Sequence, residues 1–583
     1  MEEKEMQLVV SDAFDHKGNP ANRTRTGGWL SAALIMGIEI CERLATMAIV
    51  VNIVTYVVGT MHLPSATASN VATNFGGTSY LLCLFGGILA DTFLGRYWTI
   101  AIFAVINALG TCMLAISTGL PQLRPPPCDP ETSNNCREAS SLQMGVFYVA
   151  LYLYGIGLGG IKSSVSGFGT DQFDQKYDRE KEQLADFFNR FYLFINMGTL
   201  LGVTVLVYIQ DKVGRSWGYG ISSAAMFLAF LVFLSGSRKY RYEKRVGSPV
   251  IQILQVLIAA IRKRKVEFPP TVGSLYEDYT QGPRVFHTNK YRFLDKASII
   301  ISAEELATPN PWRLCSVKKV EEVKMLIGLL PIWATTIMFW TVYAQMGSFS
   351  VQQAATMDRY LGKFEVPPGS YNVFLFGAIM ITLAIYDRLC MPLFRKSKRK
   401  EGLTSLQKIG IGLFFAIIAM AAAAVVEMRR MKIARAEGGN IKILPISAFY
   451  LLPQFLLVGI GDAFIYAGQL DFFITQSPKE MKAIGTGLFL TTISLGLYGS
   501  SILVITINKI TGRHGRRNWL PRRINDGRSR LDLFYGLLAV LSLVNFGFFL
   551  VCAAKHRPNP AEKAEIINGE SDLSPNHRQE DKV

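Results

Sequence analysis

The chain has few charged residues for its length and lacks the residue groupings that enzymes depend on. Only 18% of its 583 residues are Asp, Glu, Lys or Arg, and six are histidine. The sequence contains no phosphate-binding glycine loop, no metal-ligand cluster and no nucleophile spaced with a base. We therefore expect a protein that is not an enzyme and that binds no metal or cofactor.

The N-terminus lacks the early apolar run of a cleavable signal peptide. Residues 1–28 are polar, and the first apolar run begins at residue 29. A secretory signal needs such a run before its cleavage site. We expect the first span to act as an uncleaved insertion signal, with residues 1–28 as a cytoplasmic segment.

Apolar residues, in contrast, are abundant, at 50% of the chain with a mean hydropathy of +0.25. Segments long enough to cross a bilayer, about 20 residues each, recur twelve times. The sequence predicts an all-α membrane protein with twelve transmembrane helices. These are placed near 29–57, 70–90, 98–119, 143–168, 186–208, 217–236, 325–346, 370–387, 408–427, 445–468, 485–507 and 532–553.

A long polar stretch divides the spans into two groups of six. This pattern indicates the major-facilitator fold, in which substrate binds near the bilayer midplane between two bundles that rock. The predicted parts are an N-terminal bundle at 29–236, a cytoplasmic linker at 237–320, a C-terminal bundle at 321–554 and a disordered cytoplasmic tail at 555–583. An even number of spans leaves both termini in the cytoplasm.

The net charge of +17 is distributed in a way that indicates a lipid bilayer and not nucleic acid. Lys and Arg concentrate in the predicted cytoplasmic segments, as the positive-inside rule requires. The stretch 509–530 is the exception, because its eight basic residues fall outside. In the linker, residues 250–261 form an amphipathic pattern followed by the basic run 262–265. This segment is either a helix on the inner leaflet or a plain tether.

Five charged residues lie deep within predicted spans, where a charge costs at least about 2.5 kcal/mol. Glu39, Glu42 and Arg43 follow the i, i+3, i+4 spacing that places them on one helical face. Lys162 lies in the fourth span and Asp462 in the tenth. Each needs a partner or water at low dielectric. A salt bridge between Lys162 and Asp462 would join the two bundles; the alternative is that each faces water separately.

Two cysteines and one short loop carry further predictions. Cys128 and Cys136 flank a short segment of a loop predicted to be exterior, where a disulfide or two free thiols are both compatible with the sequence. The loop 87–96, between the second and third spans, resembles the glycine, aspartate and arginine loop of the major-facilitator superfamily. Its charges either latch helix ends or belong to a bare turn.

Several of these motifs together resemble one transporter family. Glu39, Glu42 and Arg43 match the Glu-x-x-Glu-Arg motif of the proton-coupled oligopeptide transporters, which in plants include the nitrate and peptide transporters. Residues 191–200 are similar to the signature of the family, and 169–173 also fits. The resemblance covers essentially the whole chain and is greatest to the nitrate transporter subfamily.

The resemblance implies roles for the charged residues. Glu39 and Glu42 would carry protons, and Arg43 would keep the cluster near neutrality. Lys162 with Asp462 would form a bridge that gates the two bundles. Family members commonly have glutamate where this chain has Asp462, and the shorter side chain would need closer helices or a bridging water.

The seventh span departs further from the family pattern. Tyr343 matches the position at which a nitrate-transporting member has histidine, the implied anion ligand, and Gln345 lies in the same stretch. Tyrosine donates a hydrogen bond to an anion but carries no positive charge. We therefore expect Tyr343 and Gln345 to bind substrate with weaker nitrate affinity and poorer discrimination among anions. A packing role for the Tyr343 ring is the alternative.

Thr99 is a candidate regulatory site. It follows Arg96 at the spacing that basic-directed protein kinases accept, and it matches a threonine that is phosphorylated in the family. A phosphate there would add about −1.5 to −2 charges beside the third span and loosen the packing.

The leading functional hypothesis is a low-affinity symporter that imports nitrate by alternating access, driven by the proton gradient. The same mechanism with chloride, a dipeptide or a hormone carboxylate is the first alternative, and a passive anion channel is the second. The plasma membrane is favoured over the vacuolar membrane. The pattern indicates no particular oligomeric state.

Overall fold

The computed structural model is mostly helical and describes residues 9–128, 136–174, 177–243, 249–268, 275–277, 287–302, 305–306, 308–390, 392, 403–437, 443–478, 481–512, 519–520, 524–525 and 529–556. The helices are α1 Gly28–Gly59, α2 Ser65–Leu89, α3 Arg96–Gly119, α4 Ser141–Thr170, α5 Asp178–Leu201, α6 Val207–Lys212, α7 Arg215–Ser235, α8 Pro249–Arg262, α9 Val317–Gly347, α10 Phe349–Ala355, α11 Asn372–Ile385, α12 Ser405–Ala436, α13 Leu452–Gln476, α14 Lys482–Gly512 and α15 Leu531–Lys555. Short strands are β1 Val9–Phe14, β2 Pro20–Asn22, β3 Tyr242–Glu243, β4 Met357–Asp358, β5 Tyr360–Leu361, β6 Phe364–Glu365 and β7 Leu444–Ser447.

Eleven helical segments in the described part of the chain are long and apolar enough to cross a membrane, judged by length and composition. They coincide with the second to twelfth predicted spans. The first predicted span is α1, which has 32 residues and a length of about 48 Å at the standard helical rise. That length exceeds the thickness of the hydrocarbon core, so α1 is long enough to cross the membrane even though it carries three charges. The prediction of an all-α, multi-pass membrane protein is confirmed.

The chain forms two compact units. The first contains Met1–Ser248, Thr336–Gly468 and Phe489–Phe546, and the second contains Pro249–Thr335, Gln469–Leu488 and Gly547–Val583. This division cuts across the predicted bundles, because α9, α13, α14 and α15 each contribute to both units. The predicted tail, apart from residues 555 and 556, lies outside the described residues.

Close helix contacts in the first unit depend on glycines in α4. A Cβ atom at Gly157 would lie 2.5 Å from the backbone nitrogen of Asn107 on α3. One at Gly159 would lie 2.7 Å from the Cβ of Leu82 on α2. Glycine therefore lets the α4 backbone approach two neighbours at once. This packing places Lys162, further along α4, inside the helix bundle.

The N-terminal segment is held by a small sheet and by buried ion pairs. Strands β2, β1 and β3 form an antiparallel sheet in that order. Beside it, the guanidinium of Arg241 donates to Glu180 on α5 at 2.6 Å and to the backbone oxygen of Thr26 at 3.1 Å. Arg23 pairs with Asp174 at 2.5 Å. The segment before α1 is thus fastened to the beginning of α5.

Replacement of Arg241 by glutamine should destabilise this region strongly. The Arg241 side chain is 1% exposed, and removing one partner of a buried ion pair costs about 3–5 kcal/mol. We expect a lower unfolding temperature of the purified protein in detergent. Arg238→Gln is the matched control, because Arg238 is exposed in the same connection. Equal unfolding temperatures for the two variants would contradict the assignment of the Arg241 network as stabilising.

The second unit contains the amphipathic helix predicted in the linker. One face of α8 packs into a core with the segment Arg292–Ser298 and with the beginning of α9. That face includes Val256 and Ala259, which are fully buried. Leu254 and Ile261 remain exposed. The helix therefore packs on protein with one apolar face and exposes apolar side chains on the other, so a position on the inner leaflet and a tether between the bundles both remain predictions.

Candidate functional site

The predicted charge cluster is formed within one face of α1. Glu39 and Glu42 are 3% and 0% exposed. The Nε atom of Arg43 lies 3.0 Å from Oε1 of Glu39 and 3.6 Å from Oε2 of Glu42. One guanidinium therefore serves two buried carboxylates. The cluster has a formal charge of −1 when both glutamates are ionised and becomes neutral when one accepts a proton.

Glu42 has further polar neighbours that the sequence did not indicate. Its Oε1 atom accepts a hydrogen bond from the Thr46 hydroxyl at 2.5 Å, and the Tyr154 hydroxyl lies 2.6 Å from the same Thr46 oxygen. The Oε2 atom of Glu42 accepts no hydrogen bond from the described residues. Thr46 follows Glu42 by one helical turn, so periodicity could have identified it. Tyr154 is on α4 and could not be identified in this way.

The predicted bridge between Lys162 and Asp462 is not formed in this structure. Their charged groups are not within the 4.0 Å of an ion pair. The ammonium of Lys162 lies 5.2 Å from the centre of the Tyr80 ring, a cation–π contact that sequence reasoning missed. Asp462 is 7% exposed, and its Oδ1 atom has no hydrogen-bond partner in the described chain.

Tyr343 belongs to an aromatic wall on α9. Its ring meets Trp340 edge to face with 5.5 Å between centroids. Trp340 also contacts Tyr466 on α13 and Phe489 on α14, at 6.4 Å and 6.3 Å. Tyr343 is half-buried. The ring packs against Trp340 and remains partly exposed, so substrate binding and a purely packing role both remain predictions.

Gln345, the other predicted ligand, lies on a different face of the same helix. Residues two apart differ by about 200° around an α-helix, so Tyr343 and Gln345 diverge. The Gln345 amide nitrogen donates to Ser500 Oγ on α14 at 2.9 Å and to the Thr341 oxygen at 2.8 Å. Gln345 is fully buried. Contact with a substrate would require α9 and α14 to separate there.

Helices from the two predicted bundles meet directly in the first unit. Between α2 and α14, the hydroxyls of Thr73 and Ser501 are 2.5 Å apart, and Ser494 donates to the oxygen of Gly77 at 2.7 Å. A Cβ atom at Gly77 would lie 3.2 Å from the Ser494 oxygen. These contacts lie in the first half of α2, which is the exterior half in the predicted topology.

The stretch 87–96, predicted as a loop, is helical up to Leu94 and forms ion pairs at Arg96, so it is not a bare turn. Arg96 pairs with Asp171 at the end of α4 and lies 3.5 Å from Glu243 and 3.9 Å from Asp91. Burial raises the pKa of Asp171 to about 7, and the Arg96 guanidinium opposes that increase. Protonation of Asp171 below that pH would weaken its attraction to Arg96.

Thr99 is buried in this structure. Its side chain is 0% exposed, and the hydroxyl donates to the Gly95 oxygen at 3.0 Å. A protein kinase needs the hydroxyl and several flanking residues in an extended, accessible segment. Phosphorylation of Thr99 would therefore require the beginning of α3 to open first.

We expect Thr99 in the folded protein to be phosphorylated far more slowly than Thr99 in a peptide of residues 93–103. The physical reason is the free-energy cost of local opening, which lowers the accessible fraction. Phosphate incorporation by one basic-directed kinase on both substrates tests this, with Thr99→Ala as the blank. Equal rates would show that the beginning of α3 opens freely.

The two loop cysteines are joined. Cys128 and Cys136 form a disulfide with 5.6 Å between their Cα atoms. Of the two alternatives compatible with the sequence, the structure contains the disulfide. The residues between them lie outside the described chain.

Among the described residues, one group of side chains that could hold a metal ion occurs, at His287, Asp295 and Glu321 in the second unit. The ammonium of Lys324 lies 2.6 Å from Asp295 and 2.8 Å from Glu321. His287 is 3.1 Å from Asp295. Lys324 already supplies a positive charge to both carboxylates, so the group is an ion-pair network within the protein and does not favour a metal.

Eleven helical segments able to cross a membrane, together with a buried charge cluster on α1, are typical of a membrane transporter. A family model described as the POT family matches residues 97–520. The chain is 55% identical over 568 residues to Protein NRT1/PTR FAMILY 6.2 of Arabidopsis thaliana, covering 96% of this chain and 97% of the relative. It is 50% identical over 555 residues to Protein NRT1/PTR FAMILY 6.3 of the same plant, covering 93% of each.

The solved structure of an auto-inhibited POT family peptide transporter is similar in fold, with a TM-score of 0.66 at 20% identity over 91% of this chain and 98% of that one. At this identity the likeness concerns the fold alone. The protein belongs to the POT family of transporters, together with the NRT1/PTR proteins of plants. The resemblance inferred from the charge motif and the signature on α5 is confirmed, as is the expectation of a transporter and not an enzyme.

Proposed function

We propose that the protein is a proton-coupled symporter that imports nitrate, at low affinity, across the plasma membrane by alternating access. The observation that carries this proposal is the buried cluster on α1. Two carboxylates share one guanidinium at 3.0 Å and 3.6 Å. Three charges in a transmembrane helix are costly unless they serve a function, and proton relays are a common one.

The proposed coupling uses the unequal surroundings of the two glutamates. Glu42 has a hydroxyl donor, Thr46, on one oxygen and no hydrogen bond from the described residues on the other. Arg43 is nearer to Glu39. Loss of a proton from Glu39 or Glu42 increases the attraction of that carboxylate for Arg43 and for any other nearby cation. Binding of a proton therefore changes which groups Arg43 holds, which is the change a symporter needs.

The contacts between α2 and α14 support a conformation closed on the predicted exterior side. In that conformation Lys162 rests on Tyr80 and is separate from Asp462. We propose that the Lys162–Asp462 bridge forms only in the opposite conformation, when the two helices that carry them approach. The bridge would then favour the state from which substrate is loaded, and protonation or substrate would release it.

Half-buried Tyr343 supports a small-anion substrate but does not support a sharp preference for one small anion over another. A neutral hydroxyl donates one hydrogen bond to nitrate or to chloride equally well. This favours chloride as the second candidate substrate. The choice of nitrate as the first candidate rests on the resemblance to the nitrate transporter subfamily.

The test is uptake of isotopic nitrate and the accompanying current in voltage-clamped oocytes at pH 5.5 and 7.5, with chloride as competitor. Because nitrate carries one negative charge, we propose that at least two protons enter with each nitrate, so the proposal requires inward current as well as acid-stimulated uptake. No nitrate entry at either pH would refute nitrate as the substrate and leave peptides or hormone carboxylates to be tested. Flux that does not respond to pH would instead identify a channel.

A further inference from the structure

A polar cavity of about 360 Å³ lies where α1 ends and α7 begins, away from the charge cluster. Tyr56 contributes to its wall and follows Arg43 by thirteen residues, about 20 Å along α1. The residues that line the cavity and enter the argument are Tyr56, Arg124, Gln210, Gly214, Arg215 and Trp217. All belong to the first compact unit. The predicted topology places this end of the helices on the exterior side.

Two arginines give the cavity its charge. The Nη1 and Nη2 atoms of Arg215 donate to the Asn52 oxygen at 3.2 Å and to Thr55 Oγ1 at 3.1 Å, which orient the guanidinium. Arg124 donates to the Gly119 oxygen at 3.4 Å. Among the described residues, no carboxylate lies within 4.0 Å of either arginine. Both cations are therefore uncompensated by an ion pair within that part of the chain.

Two buried hydrogen-bond donors add to this charge. The Tyr56 hydroxyl and the Gln210 Nε2 atom have no acceptor within the described chain, although the residues are 1% and 2% exposed. The Gln210 Oε1 atom accepts from Asn52 at 2.5 Å, so the amide orientation is determined. A buried donor without a partner costs about 1–3 kcal/mol. A ligand that accepts hydrogen bonds would remove that cost.

The backbone N–H groups at the beginning of α7 also present partial positive charge to the cavity. Helix α7 has no acidic residue in its first turn, and Gly214 caps it without a side-chain hydrogen bond. A helix N-terminus of this kind favours a negative charge. Gly218 makes room for Gln210, since a Cβ atom there would lie 2.2 Å from its Cγ. Asp211 is exposed and does not line the cavity, although its negative charge acts on Arg215 from outside it.

From these groups we propose that the cavity is a second anion-binding site, separate from the charge cluster on α1. Arg124 and Arg215 would supply charge, and Tyr56 with Gln210 would supply hydrogen bonds. The ligand is a group with negatively charged oxygen atoms that fits about 360 Å³. It is either a free small anion such as nitrate or the headgroup of an anionic lipid at the same membrane surface.

The test uses the full chain in nanodiscs, with the unfolding temperature as the readout. In neutral phosphatidylcholine discs, sodium nitrate replaces sodium gluconate at constant ionic strength. The variants are Arg124→Gln and Tyr56→Phe. The phenylalanine keeps an aromatic ring in the position of Tyr56, whose ring centroid lies 5.2 Å from that of Phe147. Lys363→Gln is the matched control, because it removes one exposed positive charge from the same predicted side. A second disc contains phosphatidylglycerol and no nitrate.

For a free anion we expect saturable stabilisation of the wild type and of Lys363→Gln, reduced by at least half in both cavity variants. The reduction should persist in a Glu42→Gln background, which separates this site from the proposed symport. For a lipid headgroup the same pattern should occur only in the phosphatidylglycerol discs. If the wild type and all variants respond equally in both lipids, or if none of them responds, the proposal of a second anion site is wrong.

Discussion

Glu42→Gln should abolish the acid stimulation of uptake, with a loss of at least about tenfold at pH 5.5. A tenfold loss corresponds to about 1.4 kcal/mol. Glutamine has nearly the shape of glutamate and can still accept the hydrogen bond from Thr46, but it cannot gain or lose a proton. Within the described part of the chain, it also leaves Arg43 with Glu39, at 3.0 Å, as its one charged partner. The measurement is isotopic uptake at two pH values.

The control for this variant is Glu437→Gln, because Glu437 is exposed just after α12. It should transport as the wild type does. Exchange of labelled for unlabelled nitrate across proteoliposomes without a proton gradient distinguishes coupling from misfolding. Glu42→Gln should still exchange, since exchange does not require the cluster to release its proton. Acid-stimulated uptake by Glu42→Gln would disprove the proposed role of this carboxylate.

Tyr343→His should sharpen the preference for nitrate over chloride by about tenfold at acid pH. A hydrogen bond from a charged donor contributes about 1.5–3 kcal/mol, and one between neutral groups about 0.5–1.5 kcal/mol. The protonated imidazole would add the difference between these two contributions to the binding free energy of the anion that aligns best with it. Histidine fits the half-buried position beside Trp340 because its ring is smaller than that of tyrosine. The measurement is nitrate uptake against increasing chloride.

Tyr343→Phe is the matched control. It preserves the edge-to-face contact with Trp340, at 5.5 Å, and removes the hydroxyl alone. If Tyr343 binds the anion, the phenylalanine variant should lose affinity while it remains folded. If both variants transport as the wild type does, Tyr343 is a packing residue and the anion is bound elsewhere.

The membrane spans could be predicted because their signal is local. A span is a run of apolar residues, and α3, α4 and α7 begin or end within two residues of their predicted limits. The face shared by Glu39, Glu42 and Arg43 could be predicted for the same reason, since helical periodicity alone aligns residues three and four apart. No knowledge of other helices was needed for these conclusions.

Contacts between distant segments were harder to predict. The pairing of Lys162 with Asp462 looked reasonable from their charges, yet Lys162 lies on Tyr80 instead. Gln345 lay in the right stretch, but two residues of separation turned it toward Ser500. The burial of Thr99 followed from packing of the beginning of α3, which a kinase motif does not encode. For Lys162 and for Gln345 the neighbour came from another helix.

By itself, the sequence determined the helical membrane class, the positions of the spans, the family and the charged face of α1, because each depends on residues close together in the chain. The tertiary structure alone decided that Tyr154 approaches Thr46, that α2 contacts α14, and that Arg124 and Arg215 line one cavity. These outcomes depend on how helices far apart in sequence pack. Packing is set by the summed shape and polarity of many side chains, to which no single local pattern corresponds.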